Sequence, residues 1–339
     1  MKQLTHRRLA SITGYLILGA YTYIVYVGGL LVSLDHSLIV VAVLAIWIIG
    51  LTYEAMREWK SAYAADTEEQ RFDFPKDTLS FLSLFLGTLI TFWISVALGH
   101  GAVIASGLVG IFAAAFLKPY AAPIFSGSFV GMASPEVFGF GYMGMALAGA
   151  IAGLIFVLGK HVFNGFGGKL GTTAWAGCVF TALIMGKPLL TGEVPGWEVG
   201  WPLIIYCAIA AFVTFILSIW FGQGPVMASG MVGLAAGLLL PAIHGAELGG
   251  TLAVGVYCAS FAGMSGTNRF EKAYWMIPSG VLCALIIIYT STFMQGGGGK
   301  LGTIAFGAVI GMRGLMEIGA HARRLLGTSA EESEAVTSG

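Results

Sequence analysis

Two lysines stand where lysine is costly. Lys169 and Lys300 occur in the same six-residue stretch, Gly167-Gly168-Lys169-Leu170-Gly171-Thr172 and Gly298-Gly299-Lys300-Leu301-Gly302-Thr303, each between long apolar runs. An ammonium at membrane depth requires a partner, and glycine opens backbone N–H and C=O groups and lets a helix break. Each block follows further glycine (Gly165; Gly296 and Gly297) and an amide side chain (Asn164; Gln295). The pattern predicts a broken helix restarting near Thr172 or Thr303. Its free N–H groups, its dipole and the lysine would converge on an anion or on a solute's carbonyl. The plainer reading is an interfacial turn, with glycine for the bend and lysine snorkelling to headgroups. A nucleotide P-loop is excluded, because leucine follows each lysine where Ser or Thr is required.

A second pair of stretches carries small hydroxyls. Ser128-Phe129-Val130-Gly131-Met132 matches Ser260-Phe261-Ala262-Gly263-Met264, with Ser134 and Ser265 close behind. Hydroxyls and open carbonyls in a glycine-broken segment can replace the water shell of a solute, while Phe and Met form an apolar constriction. The alternative is close helix packing with Phe and Met as filler. A third pair, Gly101–Gly110 and Gly224–Gly233, agrees at seven of ten positions. Its Ala-Ser-Gly-x-x-Gly spacing predicts helix–helix contact.

The three blocks recur in the same order at offsets of 123, 132 and 131 residues, the mark of an internal duplication. The chain that carries them is 57% hydrophobic and 10% charged. A soluble domain has roughly a quarter charged residues, so this is an all-α polytopic membrane protein. Zero formal net charge argues against a nucleic-acid partner. Cys178, Cys207, Cys258 and Cys283 lie in apolar runs without paired spacing, as small buried residues and not as metal ligands. No paired carboxylates, His-x-x-x-His site or Ser/His/Asp set emerges, so neither an enzyme nor a cofactor is expected.

Twelve apolar runs are expected to cross the lipid bilayer. Residues 1–56 form an N-terminal hairpin, and the mixed-charge stretch 57–78 is a cytoplasmic linker. Residues 79–187 are the first five-segment copy, 188–200 an extracytoplasmic linker and 201–320 the second copy, with 321–339 a disordered cytoplasmic tail. If 119–135 and 249–265 cross, the copies are inverted and both termini are cytoplasmic. Lys118, Lys160, Arg269, Lys272, Arg323 and Arg324 then all face inward, as the positive-inside bias prefers. If the two segments are re-entrant, the copies are parallel. Arg313 and Glu317, four apart, are expected to pair on one helix face.

Two inverted five-span copies with broken segments are similar in topology to urea-channel-like membrane proteins. The asparagine-rich and Leu-Pro-x-x-Thr-type motifs of that family are absent, so no residue is carried over. The expectation is a transporter or channel in the cytoplasmic membrane, with its path between the two copies, and with homo-oligomers common for such proteins. Two lysines without repeat carboxylates favour a small anion, followed by a neutral polar solute, and disfavour a cation. An ion-coupled carrier and a non-transporting membrane subunit or sensor are the alternatives.

Overall fold

The computed structural model describes residues 2–64, 72–139 and 141–337, with side chains over 8–60, 62–63, 72–139 and 141–325. Among these residues the chain is all-helical, with no strand beyond a single bridge between Leu190 and Gln295. The helices are α1 (Lys2–Ser33), α2 (Leu38–Ala64), α3 (Phe74–Phe92), α4 (Ala102–Phe116), α5 (Ala121–Val130), α6 (Pro135–Phe138) and α7 (Tyr142–Leu158). They continue with α8 (Lys169–Ile184), α9 (Trp197–Ile219), α10 (Pro225–His244), α11 (Ala246–Gly263), α12 (Met276–Thr290) and α13 (Lys300–Thr337).

Seven described helices are long and apolar enough to cross a membrane, which marks the chain as membrane-embedded. Their outer faces carry bare apolar side chains, such as Leu86, Ile205 and Leu239, that lipid tolerates. Seven is fewer than the twelve crossings expected. Helices α4, α7 and α8 are apolar but shorter. Ten-residue α5 rises only roughly 15 Å, half of a hydrocarbon core. The linker expected over 57–78 is partly helix, since α2 runs to Ala64, and its centre at 65–71 lies outside the described residues. Asp73 caps α3 by accepting from the Lys76 N–H, and Pro75 suits the first turn. The segment expected to be a disordered tail continues α13 as helix to Thr337.

The N-terminal hairpin is held to α13 by glycine. Gly307, Gly311 and Gly314 form one face of α13, against which Tyr26, Trp47 and Gly50 pack. The Tyr26 hydroxyl donates to Ile304 O (2.8 Å) and the Trp47 indole to Ala308 O (2.9 Å), so both large side chains are also polar-satisfied at depth. At one end of this interface the charges pair. Arg269 reaches Glu58 (2.7 Å) and Glu54 (3.6 Å), Arg57 bridges Glu54 (2.9 Å) and Glu317 (3.2 Å), and Arg313 pairs with Glu317 as its spacing predicts.

A Cβ at Gly314 would lie 1.8 Å from Gly50 O, whereas Gly19 faces open space. Gly314→Val is expected to separate α2 from α13 at a cost of about 1–3 kcal/mol. Gly19→Ala is expected to gain roughly 0.5–1 kcal/mol from helix propensity. Melting temperatures in detergent check both, and a Gly314→Val protein as stable as the parent would refute the packing.

Candidate functional site

The lysine blocks are the ends of two turns built alike. Each turn leaves a helix (α7 or α12) and passes a non-glycine residue at positive φ, Phe163 (54°) or Met294 (52°), the only two among the described residues. Glycine at φ 83° (Gly165) or 79° (Gly296) follows, and then Gly168 or Gly299 just before α8 or α13 starts at its lysine. A left-handed Phe or Met costs of order 1–3 kcal/mol, so the surroundings must hold both turns in place.

What holds each turn is the other half of the chain. A Cβ at Gly167 would lie 2.1 Å from Phe261 O, and one at Gly298 would lie 2.1 Å from Phe129 O. The Gly167 N–H donates to Ser265 Oγ (3.1 Å). Gly266 N–H donates to Gly165 O (2.9 Å), and at the matching place Ser134 N–H donates to Gly296 O (2.8 Å). Helices α8 and α13 cross where a Cβ at Gly171 or at Gly302 would lie 2.5 Å from the opposite Cα. The glycines of both blocks are therefore close-contact residues. Each Ser-Phe-x-Gly-Met stretch is the seat of the other half's lysine turn.

The lysines face carbonyls. Lys300, 5% exposed, donates to Thr290 O and Phe293 O (2.6 Å) and lies 4.7 Å from the Phe293 ring centroid. Lys169, half-buried, donates to Asn164 Oδ1 (2.8 Å) and reaches Lys160 O (3.5 Å). Each ammonium thus serves the carbonyl end left by α7 or α12. Among the described residues neither is ion-paired to a carboxylate.

Two cavities open beside these turns. The first, of about 390 Å³, is lined by Lys169, Asn164, Val226, Met264 and Ala122 among others. The second, of about 290 Å³, is lined by Lys300, Gln295, Val103, Met132 and Val254. These are the same positions by the offsets of the duplication. Helix α5 lies between Ala122 at the first cavity and Met132 at the second, and α11 lies between Val254 at the second and Met264 at the first. Two corresponding segments therefore run between the same cavities in opposite directions.

Four buried rings sit on these segments between the cavities. Phe125 and Phe129 on α5 are 4.4 Å apart, Tyr257 and Phe261 on α11 are 4.6 Å apart, and Phe129 meets Phe261 at 4.5 Å. The ring edges and faces interlock, which is the favourable geometry for aromatic pairs. Beneath them Ser106 bonds Ser128 (2.7 Å) and the Tyr257 hydroxyl (2.8 Å), and Ser229 bonds Ser260 (2.8 Å). Ser126 Oγ and Cys258 Sγ tie the same helices to Leu170 O (2.9 Å) and Leu301 O (3.1 Å).

The residues singled out from sequence fall into three groups. Met132, Ser134, Met264, Gly167, Gly168, Lys169, Gly298, Gly299 and Lys300 line one cavity or the other. Ser128, Phe129, Ser260 and Phe261 lie buried between them. Gly131, Gly263, Ser265, Thr172 and Thr303 line neither. Gly131 and Gly263 press on Thr88 O and Ala211 O, Thr172 bonds back to Gly168 O (3.4 Å), and the buried Thr303 hydroxyl has no partner. Sequence reasoning missed Phe125, Tyr257, Ser106 and Ser229. The aromatic pairs have i, i+4 spacing in both copies, which was a usable signal. The serines lay in blocks read only as helix contacts, a role they share, since Gly107 and Gly230 do abut.

Comparison with protein-family models, with curated proteins and with solved structures finds no match to the chain.

Removing the Lys300 ammonium as Lys300→Met leaves Phe293 O without its donor in a buried site, and Thr290 O keeps the Gln295 amide (2.8 Å). The expected cost is about 1–3 kcal/mol. Lys169→Met is expected to cost less, because water reaches that half-buried position. The order of the two melting temperatures in detergent tests this, and a larger loss at Lys169 would contradict it.

Proposed function

We propose that the chain transports a small solute, as a channel or carrier, along a path between the two halves. The observation that carries this reading is the pair of cavities with corresponding linings, at opposite ends of α5 and of the Val254–Met264 stretch that ends α11. The cavities are its mouths and the four rings are its constriction, closed in this conformation. Opposite directions of α5 and α11 support two inverted copies, 79–187 and 201–320, in place of parallel ones. On that arrangement the positive-inside bias puts both termini, and the mouth bearing Lys160 and Asn164, on the cytoplasmic side.

A small anion is the solute we favour. Lys169 and Lys300 place one positive charge at each mouth, uncancelled by any carboxylate in hydrogen-bond contact. A neutral polar solute is the second reading. It is favoured by the engagement of both ammonium groups with carbonyls, which leaves them as a field more than as direct ligands.

Flux into proteoliposomes separates the two. Lys169→Gln and Lys300→Gln remove charge while keeping an amide donor. For formate, each is expected to slow entry about tenfold, the scale by which a charged mouth concentrates ions. Urea entry is expected to be unchanged. Urea flux with no anion flux would favour the neutral solute. If no member of the panel enters vesicles holding folded protein, transport is refuted and a non-transporting membrane subunit takes its place.

A further inference from the structure

The direction of each hydrogen bond at the constriction can be worked out, because a hydroxyl has one hydrogen and a carbonyl has none. Ser128 lies 2.8 Å from Phe125 O, so its hydrogen points there. Ser128 Oγ is then an acceptor toward Ser106 (2.7 Å), which engages the only hydrogen of Ser106. Ser106 Oγ must in turn accept from the Tyr257 hydroxyl (2.8 Å). The chain runs one way, from Tyr257 to Ser106 to Ser128 to Phe125 O. On the other side Ser260 donates to Tyr257 O (2.7 Å), so Ser229 donates to Ser260.

Every hydroxyl hydrogen in these two chains is therefore engaged, and Tyr257 Oη keeps only lone pairs. The corresponding position in α5 is Phe125, which has no oxygen at all. The ring cluster thus contains one hydroxyl acceptor and no free hydroxyl donor. Among the described residues the buried unpartnered hydroxyls are those of Thr91, Thr181, Thr214, Ser218 and Thr303, none of them on the ring-bearing stretches; Thr91 and Thr214 lie beside Gly131 and Gly263. An anion needs donors when it leaves water, and here it meets lone pairs and ring faces, which repel it.

Resting on the transport reading above, we propose that the constriction passes neutral hydrogen-bond donors, so that a weak-acid anion crosses only with a proton. The anion collects at a lysine-bearing mouth, takes one proton from water there, and crosses as the uncharged acid, donating its O–H to Tyr257 Oη. It releases that proton to water at the far mouth. One anion and one proton move together, and no net charge crosses. The substrate class is then small monocarboxylic acids and uncharged amides, and the anion of a strong acid is excluded.

The test uses the full chain in vesicles, with protein-free vesicles subtracted. Formate entry at fixed total concentration is expected to rise about tenfold for each unit of pH lowered above the carboxylate pKa. It should carry no current, and nitrate entry should be at background. Tyr257→Phe keeps the ring and removes the acceptor, and is expected to slow formate and urea about tenfold, one lost hydrogen bond. Ser106→Ala frees the tyrosine hydrogen, turns Oη into a donor, and is expected to admit nitrate. A gain of nitrate flux with glycerol and potassium still excluded separates this from misfolding or leak. Nitrate entering the unaltered protein with a current would overturn the proton requirement and leave anion transport standing. The absence of flux for every solute, formate and urea included, would overturn both.

Discussion

The structure depends on one backbone-to-backbone crossing. Where α8 and α13 meet at Gly171 and Gly302, no side chain separates them. Lipid supplies no hydrophobic drive for helices to associate, so close backbone approach and its dispersion contacts must do it. The crossing brings Gly168 against Gly302 O and Gly299 against Gly171 O, where an added Cβ would lie 2.4 Å away in either case. From there each lysine turn extends to the far half and is seated on its Ser-Phe-x-Gly-Met stretch. Neither cavity is complete within one half of the chain.

Buried polar groups divide by the company they keep. Around the hairpin, Glu54 and Glu58 lie with Arg57 and Arg269 in a network that also binds Asn164 O through the Arg269 guanidinium. Breaking one partner of such a network strands the other in a poor dielectric. The two cavity lysines have carbonyl partners in its place. A carbonyl satisfies the hydrogen-bonding demand of an ammonium without cancelling its charge. The hydroxyls near the rings are satisfied without any charge.

The duplication is not symmetric in its surroundings. The hairpin covers the α13 face of Gly307, Gly311 and Gly314, and the corresponding α8 positions are Ala176, Phe180 and Leu183. Leu183 is 70% exposed, as a lipid-facing residue can be. Glycine persists where helix meets helix, and a bulky apolar residue replaces it where helix meets lipid.

Each of the twelve apolar runs picked out from sequence holds a helix, because hydropathy and helix length are properties of a local stretch. The lysine blocks were legible as special turns for a similar reason: glycine beside lysine in apolar chain is locally costly, and its repetition at 131 residues removes chance. The number of crossings was less legible, since ten-residue α5 is as apolar as a full span. The partners that the lysines have within the protein were not legible. The sequence offered a solute or an interfacial turn, and the structure adds that Lys169 donates to Asn164 Oδ1 and Lys300 to the carbonyls of Thr290 and Phe293, where α12 ends. Composition and hydropathy by themselves determined a helical membrane protein. Only the tertiary structure decided that each turn is seated on a distant Ser-Phe-x-Gly-Met stretch, that four buried rings of α5 and α11 pack together, and which way the hydroxyls point. The contacts that seat the turns join residues about a hundred or more positions apart, and no local period in a chain specifies which distant backbone will lie against a glycine.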